Sequence, residues 1–466
     1  MKLKVTKISP VLTHLVLAIW SLNSGANDFV SPNGVKEICT APAKLTAAMI
    51  ESGDFKKGDL ATEEKLCKVD FYNGFGVCPK YSSTNPGLLI SHLPEGMTAN
   101  VFNSEHCHQD DPEQKNIAKF KQSITCSYTP AGLAAYQLSR ILGGAGRVPV
   151  TVYRTMDAKE HLSKVEQALL ELGNSKDAIH AAWYSQKKSH TKKPAKMFLS
   201  EDLIYGFLAD NIKGEEIYTE VSGKGSYSNR YKRFTEQPAF NRLTSAEPAE
   251  ALSTSKDLKD LIPMIVQMKD VSDMILMDTL LSQDDRIGNI HFKFRWYYLE
   301  NGTLKEEKSK AKKASRKKTA NYKNNLFEAY VPTEELLLYQ DQKQGFLVKE
   351  MILKDNDCAV DVDKRSNEMK RTGALEKIRH MSFETYRKFM NLSKYVEANN
   401  ETVKQHFINE LKFRAKDFEG DSKSFLRNLK YATKVLSDNC RSGFLKLDLD
   451  KENYLPGMTK TNPSCD

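Results

Sequence analysis

The stretch from Asp273 to His291, DMILMDTLLSQDDRIGNIH, constrains the fold more than any other. Met274, Ile275, Met277, Leu280 and Leu281 recur at helical spacing, so the segment enters as an apolar helix that has to be buried. It leaves as the polar run Asp284-Asp285-Arg286-Ile287-Gly288-Asn289, where helix gives way to loop. From His291 to Tyr298 the period becomes two: Phe292, Phe294, Trp296 and Tyr298 fall on one face of a strand, and Glu300-Asn301-Gly302-Thr303 turns it. A buried helix, an acidic loop and an amphipathic strand must therefore be laid down in succession.

With 466 residues the chain has material for one large domain or two moderate ones with a proper core. Apolar residues at 40% and charged residues at 28% exclude a disordered or fibrous class. Lys2, Lys4 and Lys7 precede a short apolar run from Val11 to Trp20 and the small residues Ser24-Gly25-Ala26, which reads as a secretory signal over 1–26. That run is too short to span a bilayer, and no later segment is long and apolar enough, so no transmembrane segment is expected. All eight cysteines (Cys39, Cys67, Cys78, Cys107, Cys126, Cys358, Cys440 and Cys465) follow the signal. An even number in an exported chain implies up to four disulfides of undetermined pairing. His106-Cys107-His108 has no second ligand cluster at zinc spacing, so a disulfide cysteine with surface histidines is the better reading.

The formal charge of +9 is concentrated. The run from Lys305 to Lys323 holds nine basic residues against two glutamates, and the rest of the mature chain is nearly neutral. Such a run is expected to be solvated and mobile. It offers contact with a polyanion, though a single insert is not the basic face that makes nucleic acid the expected partner.

Taken in order, residues 27–84 are loop-rich and cysteine-tied, an N-terminal extension. Gly87 to Ser91 reads as a strand, Pro94 to Met97 as a turn and Thr98 to Asn103 as a second strand, giving a hairpin with one glycine at its tip. Asn116 to Ile124 alternates so that Lys119 and Lys121 share a face opposite Phe120. A helix follows, with Thr129 as N-cap, Pro130 in its first turn and Gly143-Gly144 stopping it. Arg147 to Tyr153 returns as a strand and 158–172 as a helix. The basic segment from Lys187 to Lys196 reads as a surface insert, and 213–256 as a long irregular loop. Leu326 to Val331 and Gly345 to Leu353 are further strands. The latter delivers Lys354-Asp355-Asn356-Asp357 at its end, and 364–440 is helical.

Acidic residues followed four or five positions on by an amide side chain are the parts of a phosphotransfer loop. The carboxylate orients the attacking hydroxyl, and the amide oxygen holds a divalent metal on the phosphates. Here Asp285 or Asp284 has the first role and Asn289 the second. A strand-borne Asp355 downstream is where a second metal ligand belongs, and Lys121 or Lys119 can reach nucleotide phosphates.

Two stretches resemble the secretory-pathway kinases of the Golgi casein kinase and four-jointed group. AGLAAYQLSRILGGAGRVPVTV, from Ala131 to Val152, is similar to that group's helix and Arg-Val-Pro strand. DMILMDTLLSQDDR, from Asp273 to Arg286, is similar to the helix leading into its Asp-Arg loop, and Asp355-Asn356 resembles its metal-binding Asp-Asn. The resemblance covers roughly 85–155 and 195–440. It implies an α+β, bilobed protein-kinase-like fold: extension 27–84, N-lobe 85–200, and a helical C-lobe 201–466 carrying the basic insert 305–323. It also implies an exported enzyme using ATP with Mg²⁺ or Mn²⁺ to phosphorylate a hydroxyl of a protein or glycan substrate. The location would be outside the cell, in the periplasm or in a secretory-pathway lumen. Three departures stand against it. Gly132 occupies the register of the family's lysine-pairing glutamate, so that ion pair is missing or supplied from elsewhere. Matching Asp-Arg selects Asp285, whereas counting back five from Asn289 selects Asp284. The basic insert has no counterpart. The alternatives are a pseudokinase that regulates a partner, a kinase-fold enzyme that transfers AMP, and a bare polyanion-binding protein.

Overall fold

Seven antiparallel strands form the first half of the molecule. They are β1 Asn27–Val30, β2 Lys36–Thr40, β3 Phe75–Pro79, β4 Leu88–His92, β5 Asn116–Gln122, β6 Thr151–Asp157 and β7 Leu203–Asp210, in the order β1-β2-β6-β7-β5-β4-β3. The structure, a computed structural model, describes residues 27–45, 53, 55–173, 177–225, 229–308, 314–322, 325–332, 345–359, 373–420, 424–458 and 463–465. The signal read over 1–26 lies outside them.

Residues before 84 supply both edges of this sheet. Helix α1 (Lys57–Cys67) is tied to β2 by the Cys39–Cys67 disulfide. Cys78 of β3 is bonded to Cys107, beyond α2 (Ala99–Glu105), as expected for a structural rather than a metal-binding cysteine. Helix α2 is a correction: residues 98–103 read as a strand. The Thr98 hydroxyl accepts from the Val101 N–H and caps a helix, which overrides the strand preference of Val101 and Phe102. The hairpin partner of β4 is therefore β3, with 80–87 as the connecting loop.

Cross-strand register puts Lys119 opposite Ala209 and Lys121 opposite Phe207, all on one face. Helix α3 (Thr129–Ile141) packs there, and every one of its residues is buried, as its nearly unbroken apolar and small-residue sequence requires. Between β6 and β7 the chain makes a helical hairpin, α4 (Ala158–Leu172) and α5 (Ala178–Lys192). The basic segment read as a surface insert is thus mostly the end of α5, closed by Lys193 in a left-handed cap.

After β7 come short helices, including Arg230–Thr235, in the region read as loop. Helix α6 (Leu258–Leu281) follows, buried along nearly its whole length. A smaller sheet comprises β8 (Glu216–Ile217), β9 (Ile290–Glu300), β10 (Thr303–Lys308) and β13 (Phe346–Leu353), all against β9. Part of the basic run lies in strands: 305–308 are in β10 and 314–322 are β11 (Ala314–Tyr322), paired with β12 (Asn325–Pro332). A returning strand gives that backbone a ladder whatever its charge. The remaining helices include α7 (Phe383–Ala398), α8 (Asn400–Asn409) and α9 (Phe425–Arg441), the last bonded to the C-terminal segment through Cys440–Cys465. Among the described residues no helix is long and apolar enough to cross a membrane.

Candidate active site

The two halves meet where β5 faces the segment after β13. Lys119 Nζ lies 2.9 Å from Asp355 Oδ1, and Lys121 Nζ lies 3.1 Å from the same oxygen. Lys121 is only 1% exposed, and it also donates to both Asp357 oxygens at 3.0 and 3.1 Å. Lys80, at the start of the β3–β4 loop, stands 3.9 Å from Asp355 Oδ2. A lone lysine could not be buried like this; here carboxylates compensate it. Burial pushes Lys121 down, but Asp355 and Asp357 outweigh it and raise its pKa. Burial pushes the Asp355 carboxyl up, yet Lys119, Lys121 and Lys80 hold it well below the usual carboxylate range. Burial and then Lys119 push the Lys80 ammonium down to about 7. Asp355 sits at φ +49°, a conformation uncommon for a side-chain-bearing residue, at the turn that carries its carboxylate to the lysines.

The loop between α6 and β9 is stitched to this turn. Arg286 forms a bidentate ion pair with Asp278 of α6, its nitrogens 2.9 Å from both carboxylate oxygens. It also donates to the Lys354 carbonyl at 2.9 Å and to Asn356 Oδ1 at 2.6 Å. Gln283 Nε2 donates to the Asp355 carbonyl, the Asp284 N–H to the Cys358 carbonyl, and the Lys354 N–H to the Asn289 carbonyl. The Cys126–Cys358 disulfide joins the chain just after β5 to the residue following Asp357. One covalent link and one arginine thus fix the lysine strand, the acidic loop and the Asp355 turn against each other.

The sequence-derived residues divide between two places. Lys119, Lys121 and Asp355 come together directly. Asn289 adjoins them through Lys354, and its Nδ2 donates to the Asp285 carbonyl at 2.6 Å. Asp285 is paired with Arg230 and lines a cavity of about 350 Å³. Asp284 is buried, and its carbonyl accepts from Arg230 at 2.8 Å. Sequence reading missed Asp357, Lys80, Arg230 and His291. Asp357 had a visible signal, a second carboxylate two positions after Asp355. Lys80 and Arg230 had none, lying 275 and 55 residues from their partners with no periodicity to link them. His291 is pushed down to about 4 by burial and then by Lys354, and its Nδ1 is buried with no hydrogen-bond partner among the described residues.

Gly132 faces Phe207, not a lysine. A Cβ there would lie 2.8 Å from the Phe207 ring, so the space that a glutamate would need is filled. The space bounded by Lys119, Phe207, Asp210 and Asp355 is about 30 Å³, room for a water rather than a nucleotide. A ligand entering this space to reach Asp355 would have to displace its lysine contacts.

A lysine-bearing sheet over one buried helix, then a helical lobe whose long helix leads into an Asp-Arg loop and a strand-borne Asp, make the fold bilobed, α+β and kinase-like. No family model matches the chain, and no curated protein does. Among solved structures it is similar to the Golgi casein kinase with Mn/ADP bound, at TM-score 0.41 and 13% identity, over 82% of this chain and 76% of that one. A second structure of the Golgi casein kinase gives TM-score 0.40 and 13% identity, over 82% and 75%.

Proposed function

We propose that the chain is an exported kinase that moves the γ-phosphate of ATP to a hydroxyl of a protein or glycan. The observation that carries this reading is the convergence of Lys119, Lys121 and Lys80 on Asp355, in a turn stitched to the Asp285–Asn289 loop. Lys119 and Lys121 would exchange Asp355 for phosphate oxygens, leaving the Asp355 carboxylate and the Asn289 amide oxygen for a divalent cation. These are hard oxygen donors that suit Mg²⁺ or Mn²⁺. Among the described residues there is no group of three or more His, Cys, Asp or Glu side chains placed to hold a metal, so the phosphates must complete the set. When bound, the cation neutralises charge on the transferring phosphoryl group. Asp285 orients the acceptor hydroxyl and takes its proton, held in place by Arg230. The half-buried His291 imidazole stays neutral and offers its buried Nδ1 to the nucleotide. Lys121 remains anchored by Asp357, which replaces the helix-borne glutamate. Export is supported by the pairing of all eight cysteines, which suits an oxidising compartment.

Gly132 favours a second reading, a pseudokinase that regulates a partner, because Phe207 fills the glutamate's place. Incubating the mature protein with ATP and Mg²⁺ or Mn²⁺ and weighing the products separates the cases. A phosphate's mass gained by the protein or an added acceptor supports the kinase. An adenylyl group's mass shows AMP transfer. Metal-dependent ATP binding without any gain leaves the regulator.

A further inference from the structure

We infer that the cavity of about 350 Å³ beside Asp285 is the acceptor site, and that it takes a neutral peptide segment with small residues flanking the hydroxyl. This rests on the kinase reading above. Its walls come from three separated parts of the chain: Thr84 and Asn85 in the β3–β4 loop, Thr125 and Cys126 after β5, and one face of α5. Adjacent antiparallel strands such as β6 and β7 need only a few connecting residues. The α4–α5 hairpin is extra material, and it brings α5 across from Asp285.

The lining decides the chemistry. Among the described residues Asp285 is the only ionisable side chain of the lining, and Arg230, the cation paired with it, is already engaged with Asp285 and the Asp284 carbonyl, so a flanking carboxylate would enter beside a like charge whose partner is taken. Lys188, one turn on from Ser185 along this face, sits over the Tyr184 ring, and Lys187, off the face, pairs with Glu166. Among the described residues no aromatic ring lines the cavity for a sugar to stack on. Ala178, Ala181 and Ser185 leave room beside Asp285, while Trp183 and Gln186 turn into the hairpin core. The volume lies at the lower end for small-ligand pockets, enough for a few small residues in extended form.

The test uses two fluorescein-labelled peptides identical except that the residues flanking one serine are alanine or glutamate. Transfer is measured with Mg²⁺ or Mn²⁺ and ATP, and binding by anisotropy on nucleotide-free protein. The alanine peptide is expected to show kcat/KM at least about tenfold higher. Ala181→Trp, at an exposed position that tolerates bulk, should raise the KM for this peptide about tenfold or more and weaken its binding alike, without moving the KM for ATP. Ser185→Arg should narrow the preference by giving glutamate a partner. Three results would overturn the inference while leaving the kinase reading intact: preference for the glutamate peptide, an unmoved KM in Ala181→Trp, or autophosphorylation with neither peptide used. No transfer of any kind from the wild type would defeat the kinase reading, and the acceptor site with it.

Discussion

Lys121 Nζ lies 3.0 and 3.1 Å from the two carboxylate oxygens of Asp357, in a pair from which solvent is excluded. The Ser127 hydroxyl donates to the same carboxylate, and the Asp357 carbonyl accepts from the Tyr128 N–H at 2.7 Å. Asp357 thus fixes the lysine and also the entry to α3. Asp357→Ala strands a buried ammonium with Asp355 as its remaining carboxylate. We expect a loss of about 3 kcal/mol, at the low end for a broken buried pair because Asp355 stays within reach. Urea unfolding measures it, and nucleotide affinity should fall as well.

Restoring the glutamate should not help. Gly132→Glu drives a side chain into the Phe207 ring, for an expected cost of about 1–3 kcal/mol from overpacking and no gain in turnover. The double variant with Phe207→Ala should recover part of that stability, since the two positions touch. Thermal unfolding of the four proteins in the cycle checks this. Equal losses with and without Phe207 would show that the ring is not the obstacle.

Arg230 bears on Asp285 and on the Asp284 carbonyl, and both contacts come from a short helix outside the Asp284–Asn289 loop. If it positions the carboxylate, Arg230→Ala should lower kcat by about 10- to 100-fold, corresponding to about 1.4–2.7 kcal/mol of the barrier, with ATP affinity kept. Arg230→Lys should rescue part of kcat, because a charge remains. A uniform loss of folded protein in both variants would mark a structural role instead.

These residues also show how far the sequence was legible. Alternation alone placed Lys119 and Lys121 on one face, and the apolar run before Asp355 placed it at a strand end, because both are local patterns. The helix over 158–172 and the strand from His291 were equally local. What escaped was long-range or context-bound. Arg230 finds Asp285 only through the packing of an irregular segment. Lys80 reaches Asp355 only because β3 joins the sheet edge, which the strand reading of 98–103 had assigned elsewhere. The strand reading of 98–103 failed because the Thr98 cap starts a helix there, a side-chain to backbone bond that residue preference does not weigh. The left-handed turn at Asp355 is set by the loop stitched around it, not by a glycine that sequence would reveal.

The α4–α5 hairpin holds a pair of imidazoles, one buried and one half-buried: His161 Nδ1 lies 2.8 Å from His190 Nε2, and the Gln186 amide nitrogen lies 3.1 Å from His161 Nε2. Burial, and then His190, hold His161 well below its ordinary value. Burial pushes His190 down to about 4, with Glu166 opposing and Lys193 assisting. The unfolded chain therefore binds more protons than the folded one between about pH 6.5 and 4, and stability rises with pH through that window. It is fully present above about 6.5 and lost as pH falls through the folded values. Melting temperature should drop on acidification from pH 7 to 5, and His190→Gln should flatten that slope. An unchanged slope would show that other groups set the acid limb.

The most direct test is transfer of γ-labelled phosphate by the purified protein with Mg²⁺ or Mn²⁺, with Asp355→Ala and Asp285→Asn run beside it. Metal-dependent transfer is expected from the wild type. It should vanish in Asp355→Ala together with metal-dependent nucleotide binding, and fall steeply in Asp285→Asn with binding kept. Undiminished transfer in Asp355→Ala, or a wild type that neither binds nor turns over ATP, would contradict the account.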